Sequence, residues 1–269
     1  MIIDGKKIAE GLFRELTETV RQLSSAPQLA VITCAPNFET QRFLNIKQKR
    51  AAEVGIVVRV IELPETATTD ECVQTIAAAA TDSDGVVVQL PFPGHVDRDA
   101  LIAAIPKTHD VDAFNLEDSE ILPPVIGAMH MILTTEGIVL EGKRVVVVGA
   151  GKLVGQPAAR WFRGQYADVT VLTKEDSKEV SDIAHHTKDA DIVVLGTGVP
   201  GLLKPDMVHE GVVILDAGTS EDAGELRGDA DPACAEKALI FTPVPGGIGP
   251  ITIAILLKNL VTLATRSIA

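Results

Sequence analysis

Short runs of Val, Ile and Leu recur along this chain, among them LAVITC at 29–34, GVVVQL at 85–90 and KRVVVV at 143–148. Runs that are apolar at successive positions, rather than at every second one, suit strands covered on both faces, as in a parallel sheet between helices. The stretches between them carry helical spacing. Ile8, Leu12, Leu16 and Val20 fall four residues apart, so 1–24 reads as a short start and then a helix. The pattern predicts strands over 28–34, 56–63 and 85–90, with helices over 39–54, 70–80 and 99–105. After a helix over 126–136, a second series starts at Gly142, with strands over 143–148, 169–172, 192–195, 212–215 and 239–241. Strand–helix alternation of this kind specifies an α/β fold with parallel sheets. A length of 269 residues suits two domains. Aromatic residues are 3% of the chain, so the cores must be aliphatic.

Composition removes several classes of function. A formal charge of -13 argues against a general nucleic-acid binder, which shows a basic footprint. Cys34, Cys72 and Cys234 are widely spaced and form no CxxC pair, which fits a reducing, cytoplasmic compartment. Cys34 reads as a small core residue beside its strand. The six His residues, His185-His186 on a helix face among them, show no metal-ligand spacing, and no metal site is expected. No signal peptide is expected, nor any apolar run of membrane-spanning length.

Chemistry concentrates at three places. Val148 runs directly into Gly149-Ala150-Gly151 and, after Gly155, into a helix. In that context Gly149 permits a tight turn and Gly151 lets backbone approach a pyrophosphate. Gly155 allows close helix–strand packing, and the helix N-terminus offers free N–H groups. The residues after the next strand choose the adenosine ribose. Lys174 suits a 2′-phosphate, whereas Glu175 or Asp176 suits a free 2′-hydroxyl.

The second place lies in the first half. Lys47 follows Phe43 by four residues on a predicted helix, so the two share a face. Gln89 ends the strand VVVQL between Val88 and Leu90, where open α/β sheets bind ligands. Asp112 sits in the loop HDVDAF. A partly desolvated Lys can give and take a proton near neutral pH, a Gln amide can orient it, and an Asp can accept two N–H bonds from a flat amino-heterocycle. Taken singly, each residue reads as structural; together at a sheet mouth they make an active site. The third place is TPVPGGIGP at 242–250, with three Gly and three Pro in nine residues. It reads as a stiff loop whose backbone can approach a flat ligand, with Pro250 in the first turn of the helix that follows.

Together these segments resemble the bifunctional methylenetetrahydrofolate dehydrogenase/methenyltetrahydrofolate cyclohydrolase family, nearly end to end. The opening IIDGKKIAEGL, FLNIK on the family's Tyr-x-x-x-Lys helix, VVVQLPFP, DVDAF and above all TPVPGGIGPIT carry the likeness. The resemblance implies two α/β lobes with a cleft between them, the C-terminal lobe a Rossmann-type dinucleotide-binding domain. It places 1–124 plus 250–269 in a discontinuous catalytic lobe and 125–249 in the NAD(P)-binding lobe. It implies oxidation of 5,10-methylenetetrahydrofolate with NADP or NAD, then hydrolysis of the methenyl product to 10-formyltetrahydrofolate. Lys47 would be the acid/base residue of the water step, Gln89 its tuner and Asp112 the grip on the pterin. Thr40, Phe43, Val88, Leu90 and the loop Pro245, Gly246, Gly247, Ile248 and Gly249 would border the folate. Gly149, Ala150, Gly151, Gly155, Lys174 and Thr219 would hold the dinucleotide. A cytoplasmic homodimer without nucleic-acid or membrane partners is implied.

The departures are specific. Phe43 replaces the family's tyrosine and Thr40 its serine. Leu122-Pro123-Pro124-Val125 replaces Pro-Cys-Thr-Pro. Gly149-Ala150-Gly151 replaces Gly-Arg-Ser and so lacks the arginine for a 2′-phosphate. Thr173-Lys174 replaces His-Ser. The competing readings are a shikimate-type two-lobe dehydrogenase and a folate- or dinucleotide-binding protein without turnover.

Overall fold

The computed structural model describes residues 1–36, 38–115, 121–173, 180–222 and 225–266. The chain separates into two compact lobes. The first comprises Glu10–Pro124 with Ile253–Ala269, the second Met1–Ala9 with Val125–Thr252. Residues 1–9 therefore group with the second lobe rather than with the 1–124 segment. The reason is local: Phe241 N–H donates to the Met1 carbonyl and Ile3 N–H to the Phe241 carbonyl, both at 2.9 Å.

In chain order the elements are α1 (Gly5–Arg21), β1 (Gln28–Cys34), α2 (Phe38–Glu53), β2 (Val57–Leu63), α3 (Thr69–Thr81), β3 (Gly85–Val88), α4 (Arg98–Ala103) and α5 (Pro124–Thr135). Then come β4 (Arg144–Val148), α6 (Gly155–Gly164), β5 (Asp168–Leu172), α7 (Val180–Thr187), β6 (Ile192–Leu195) and β7 (Val213–Asp216). The chain continues through β8 (Ser220–Asp222), β9 (Glu225–Arg227), β10 (Ile240–Phe241) and α8 (Ile248–Arg266).

The first lobe holds a parallel sheet in the order β2-β1-β3. Central β1 buries Ala30, Val31 and Ile32 completely, as its unbroken apolar run requires. Helix α3 starts with a capping box, in which Thr68 and Glu71 satisfy each other's backbone N–H. Cys34 is buried at the end of β1, as expected of a core residue.

The second lobe is a five-stranded parallel sheet in the order β10-β7-β6-β4-β5, with the antiparallel hairpin β8-β9 beside it. Val145 to Val148 and all of β6 are buried, and Phe162 of α6 is the largest fully buried side chain among the described residues. The hairpin is absent from the sequence expectation, because its strands are three residues each and largely polar.

One expectation needs correction. Helix α8, at 19 residues and a mean hydropathy of 1.6, is long and apolar enough to cross a membrane. Its apolarity is spent inside the lobes, where Ile251, Ala254, Leu257 and Leu260 have no exposed surface. It also starts at Ile248, so Ile248 and Gly249 lie in its first turn rather than in the preceding loop, and Pro250 stands in that turn as expected.

Candidate active site

Three elements of the first lobe bring Lys47, Gln89 and Asp112 together. Lys47 projects from α2, and its Nζ donates to Gln89 Oε1 at 2.7 Å. Gln89 directly follows β3, and its backbone N–H extends the ladder to the Ile32 carbonyl at 2.8 Å. Its Nε2 donates to the Leu90 carbonyl at 3.2 Å. That second bond fixes which end of the amide faces the lysine: the oxygen must, and it does.

Asp112 lies on a turn that Asp110 ties down. Asp110 is fully buried, and its Oδ2 accepts from the Asn115 N–H at 2.6 Å. Asn115 Nδ2 in turn donates to the Ile102 carbonyl at 2.6 Å. Ala113, where the family motif has Gly, is held at a φ of 54°, a left-handed conformation that favours glycine. From the far side, Asn259 of α8 donates to the Val111 and Leu122 carbonyls, both at 2.9 Å.

Electrostatics follow from this enclosure. Burial of the ammonium lowers the Lys47 pKa, and the nearby Asp112 charge partly opposes that fall. Burial raises Asp112 to about 6, Lys47 opposes the rise and Asp110 adds to it. Burial thus draws the lysine down and the carboxylate up, so their proton affinities approach each other, which does not happen in an exposed pair.

Of the residues expected to border the folate, Thr40 is buried in α2, and Val88 is buried next to Gln89. Leu90 is half-buried beside it. Phe43 lies on α2, its side chain outside the described residues. Pro245 to Gly249 belong to the second lobe. There Gly246 has a φ of 109° and its carbonyl accepts the Gly5 N–H at 2.8 Å. A Cβ on Gly5 would collide with the Gly247 carbonyl, so α1 begins against this loop.

The dinucleotide loop is built as its sequence requires. Gly149 turns at a φ of 98°, and a Cβ there would lie 2.6 Å from the Gly196 carbonyl oxygen. A Cβ on Gly155 would overlap the Gly149 carbonyl, so α6 can start this close only with glycine. Gly151 is different: a Cβ there would meet nothing within 4 Å. Internal packing does not demand that glycine, which fits a ligand's close approach. No side chain caps α6; the Gln156 N–H donates to the Gly151 carbonyl at 3.0 Å and Pro157 has no N–H, so the Gly155 N–H is what the first three residues of the helix leave for an anion. These observations fit a bound dinucleotide phosphate. Ala150 is half-buried in this turn, and Thr219 is exposed in the segment after β7. Lys174, Glu175 and Asp176 lie outside the described residues. Sequence reasoning missed two buried carboxylates of this lobe, Asp216 and Asp229, since a single Asp at a strand end or in a turn carries no distinguishing pattern.

A two-lobed α/β enzyme, with a proton-transfer site in one lobe and a Rossmann-type dinucleotide loop in the other, is the class these features define. Comparison with known proteins makes the class specific. The catalytic-domain model of tetrahydrofolate dehydrogenase/cyclohydrolase matches residues 3–112, and the model of its NAD(P)-binding domain matches residues 123–268. The bifunctional protein FolD of Halothermothrix orenii is 37% identical, over 97% of this chain and 96% of its own length. Among solved structures, the FolD dehydrogenase/cyclohydrolase of Campylobacter jejuni superposes with a TM-score of 0.92 at 34% identity, covering 99% of both chains. The Trypanosoma brucei enzyme, complexed with NADP cofactor and inhibitor, superposes at 0.91 and 32% identity, over 100% of this chain and 98% of that one. The chain belongs to the tetrahydrofolate dehydrogenase/cyclohydrolase family. Membership displaces the shikimate-type alternative.

Proposed function

We infer that the chain oxidises 5,10-methylenetetrahydrofolate to the methenyl form with NADP and hydrolyses that form to 10-formyltetrahydrofolate. The observation that carries the site assignment is the 2.7 Å Lys47–Gln89 bond beside Asp112. In the first step a hydride leaves the one-carbon bridge, and bound NADP supplies the acceptor ring. The protein's part in that step is alignment of the two reactants. In the second step water adds to the methenyl carbon, one ring C–N bond opens and a net proton is released. Lys47 is the group that takes and returns protons at the attacking water and the departing nitrogen. Gln89 holds its Nζ in place without adding a charge. Asp112 accepts N–H bonds from the pterin, and Thr40, Phe43, Val88, Leu90 and the 245–249 loop border the folate.

Gly149, Ala150, Gly151, Gly155 and Thr219 hold the dinucleotide, and Lys174 takes the 2′-phosphate in place of the arginine absent at Ala150. By function the chain divides into a catalytic part, 1–124 with 250–269, and a dinucleotide-binding part, 125–249, although residues 1–9 and 250–252 group compactly with the second lobe; the protein acts as a cytoplasmic homodimer. Family resemblance supports these last assignments; sedimentation and cell fractionation test them.

The decisive experiment is turnover of 5,10-methylenetetrahydrofolate with NADP and with NAD in parallel, assaying methenyl and formyl products separately. Formation of both products, faster with NADP, is expected. Lys47→Met should lower methenyl hydrolysis by roughly a hundredfold or more, the range of general acid–base catalysis. Hydrolysis at the wild-type rate would remove Lys47 from the mechanism.

A further inference from the structure

The second lobe buries two carboxylates that the reaction above does not use. Asp216 ends β7 and Asp229 follows β9; they are 1% and 0% exposed. Asp229 Oδ2 accepts from the Thr197 N–H at 2.6 Å, the Thr197 hydroxyl at 2.8 Å and the Gly198 N–H at 3.2 Å. Three donors on one oxygen suit an ionised carboxylate, which only accepts. Asp216 Oδ1 accepts from Gly218 N–H at 2.9 Å and its Oδ2 from Ala230 N–H at 2.8 Å. The two groups interlock through glycines. A Cβ on Gly218 would run into the Asp229 carboxyl, and a Cβ on Gly228 into that of Asp216. Asp229 Oδ1 is buried with no hydrogen-bond partner. Burial pushes Asp216 up to about 7, and the charge on Asp229 adds to the rise.

Two buried carboxylates are a costly way to tie loops together; neutral acceptors would do it with far less desolvation. Their position suggests what they serve. In the order β10-β7-β6-β4-β5, the glycine turn follows the fourth strand, β4. The segment that meets the adenosine ribose follows β5, on one side of that turn. A dinucleotide bound along the C-terminal edge of this sheet would therefore direct its nicotinamide half toward the ends of β6 and β7. Thr197-Gly198 follow the β6 end after Gly196, and Ala217-Gly218 directly continue the β7 end. These are the segments that Asp229 and Asp216 hold. The oxidised nicotinamide ring is a cation and the reduced ring is neutral, so a fixed negative charge beneath it tells the two apart.

We propose that Asp216 and Asp229 are a positioning pair that shapes the nicotinamide end of the dinucleotide site and, through the charge of Asp229, favours the oxidised cofactor over the reduced one. This rests on the dinucleotide reading of the lobe. Both residues act through the loops they hold and through their field, so neither is a catalytic residue.

The test is calorimetric binding of NADP and of NADPH, separately, to wild type and to Asp229→Asn. The amide keeps an acceptor for Thr197 and Gly198 and removes the charge. NADP affinity should fall about tenfold, the effect of one charge interaction of ordinary size, while NADPH affinity stays within about twofold. Equal losses for both forms would reduce the pair to a structural tie and overturn the proposal, as would no loss for either. If Asp229→Asn does not fold, the smaller uncharged Asp229→Ser makes the same comparison, with folding checked by near-ultraviolet circular dichroism. Wild type that binds neither form would overturn the dinucleotide reading itself, a result distinct from either outcome in the variant.

Discussion

Gln89→Glu changes one atom group at the centre of the proton-transfer site and reverses its electrostatics. The present contact is neutral: an amide oxygen 2.7 Å from the Lys47 Nζ. Burial has already drawn the lysine below its ordinary pKa. A carboxylate at the same distance attracts the ammonium by about 6 kcal/mol at an effective dielectric constant near 20. Halving that for the desolvation of the new carboxylate leaves about 3 kcal/mol, or roughly two pKa units upward for Lys47. Neutral lysine at pH 7 then becomes scarcer by about a hundredfold, and hydrolysis should fall with it. Following loss of the methenyl chromophore against pH measures this directly. The variant should be slow at neutral pH and recover about two units higher, while cofactor reduction from the methylene substrate changes by no more than about threefold. A pH profile of hydrolysis that stays where the wild-type profile lies, at similar rate, would refute the claim that Gln89 sets the state of Lys47.

Asp112→Asn should raise the folate KM by about ten- to a hundredfold, the worth of a charge-assisted hydrogen bond; steady-state kinetics decide it. In the wild type, folate affinity should weaken as pH falls through about 6, because Asp112 then gains a proton and stops accepting on both oxygens; titration of folate binding against pH checks the sign. Gly155→Ala drives a methyl into the Gly149 carbonyl and should cost about 1–3 kcal/mol of stability with loss of NADP binding, seen as a lowered Tm that NADP no longer raises. Ala113→Gly releases a left-handed alanine and should stabilise the protein by about 1 kcal/mol in denaturant melts, with hydrolysis unchanged.

How legible these features were depended on the range of the physics behind them. Strands β1, β4 and β6 were plain in the sequence because burial on both faces leaves an unbroken apolar run. The glycine turn was plain too, since Gly149 and Gly155 answer steric demands that no other residue meets. Lys47, Gln89 and Asp112 read singly as structural and pointed to a site only as a set; the contacts that join them depend on how three elements pack, which no local pattern encodes. The grouping of residues 1–9 with the second lobe comes from backbone bonds to Phe241, more than two hundred positions away, and backbone groups look alike in every sequence. For the same reason, Asp216 and Asp229 were indistinguishable from surface aspartates until their burial was seen.

The bond from Asn259 to the Val111 carbonyl spans 148 positions. On a ribosome, the Asp112 turn emerges long before the helix that pins it. The whole dinucleotide sheet is made in between, because its strands all lie between the two partners. Until α8 arrives, the 111–115 turn lacks one of its anchors and the groove that α8 fills is open to water. Full anchoring of the 111–115 turn is therefore a late event in the synthesis of each molecule, coming only after the strands of the second lobe's sheet.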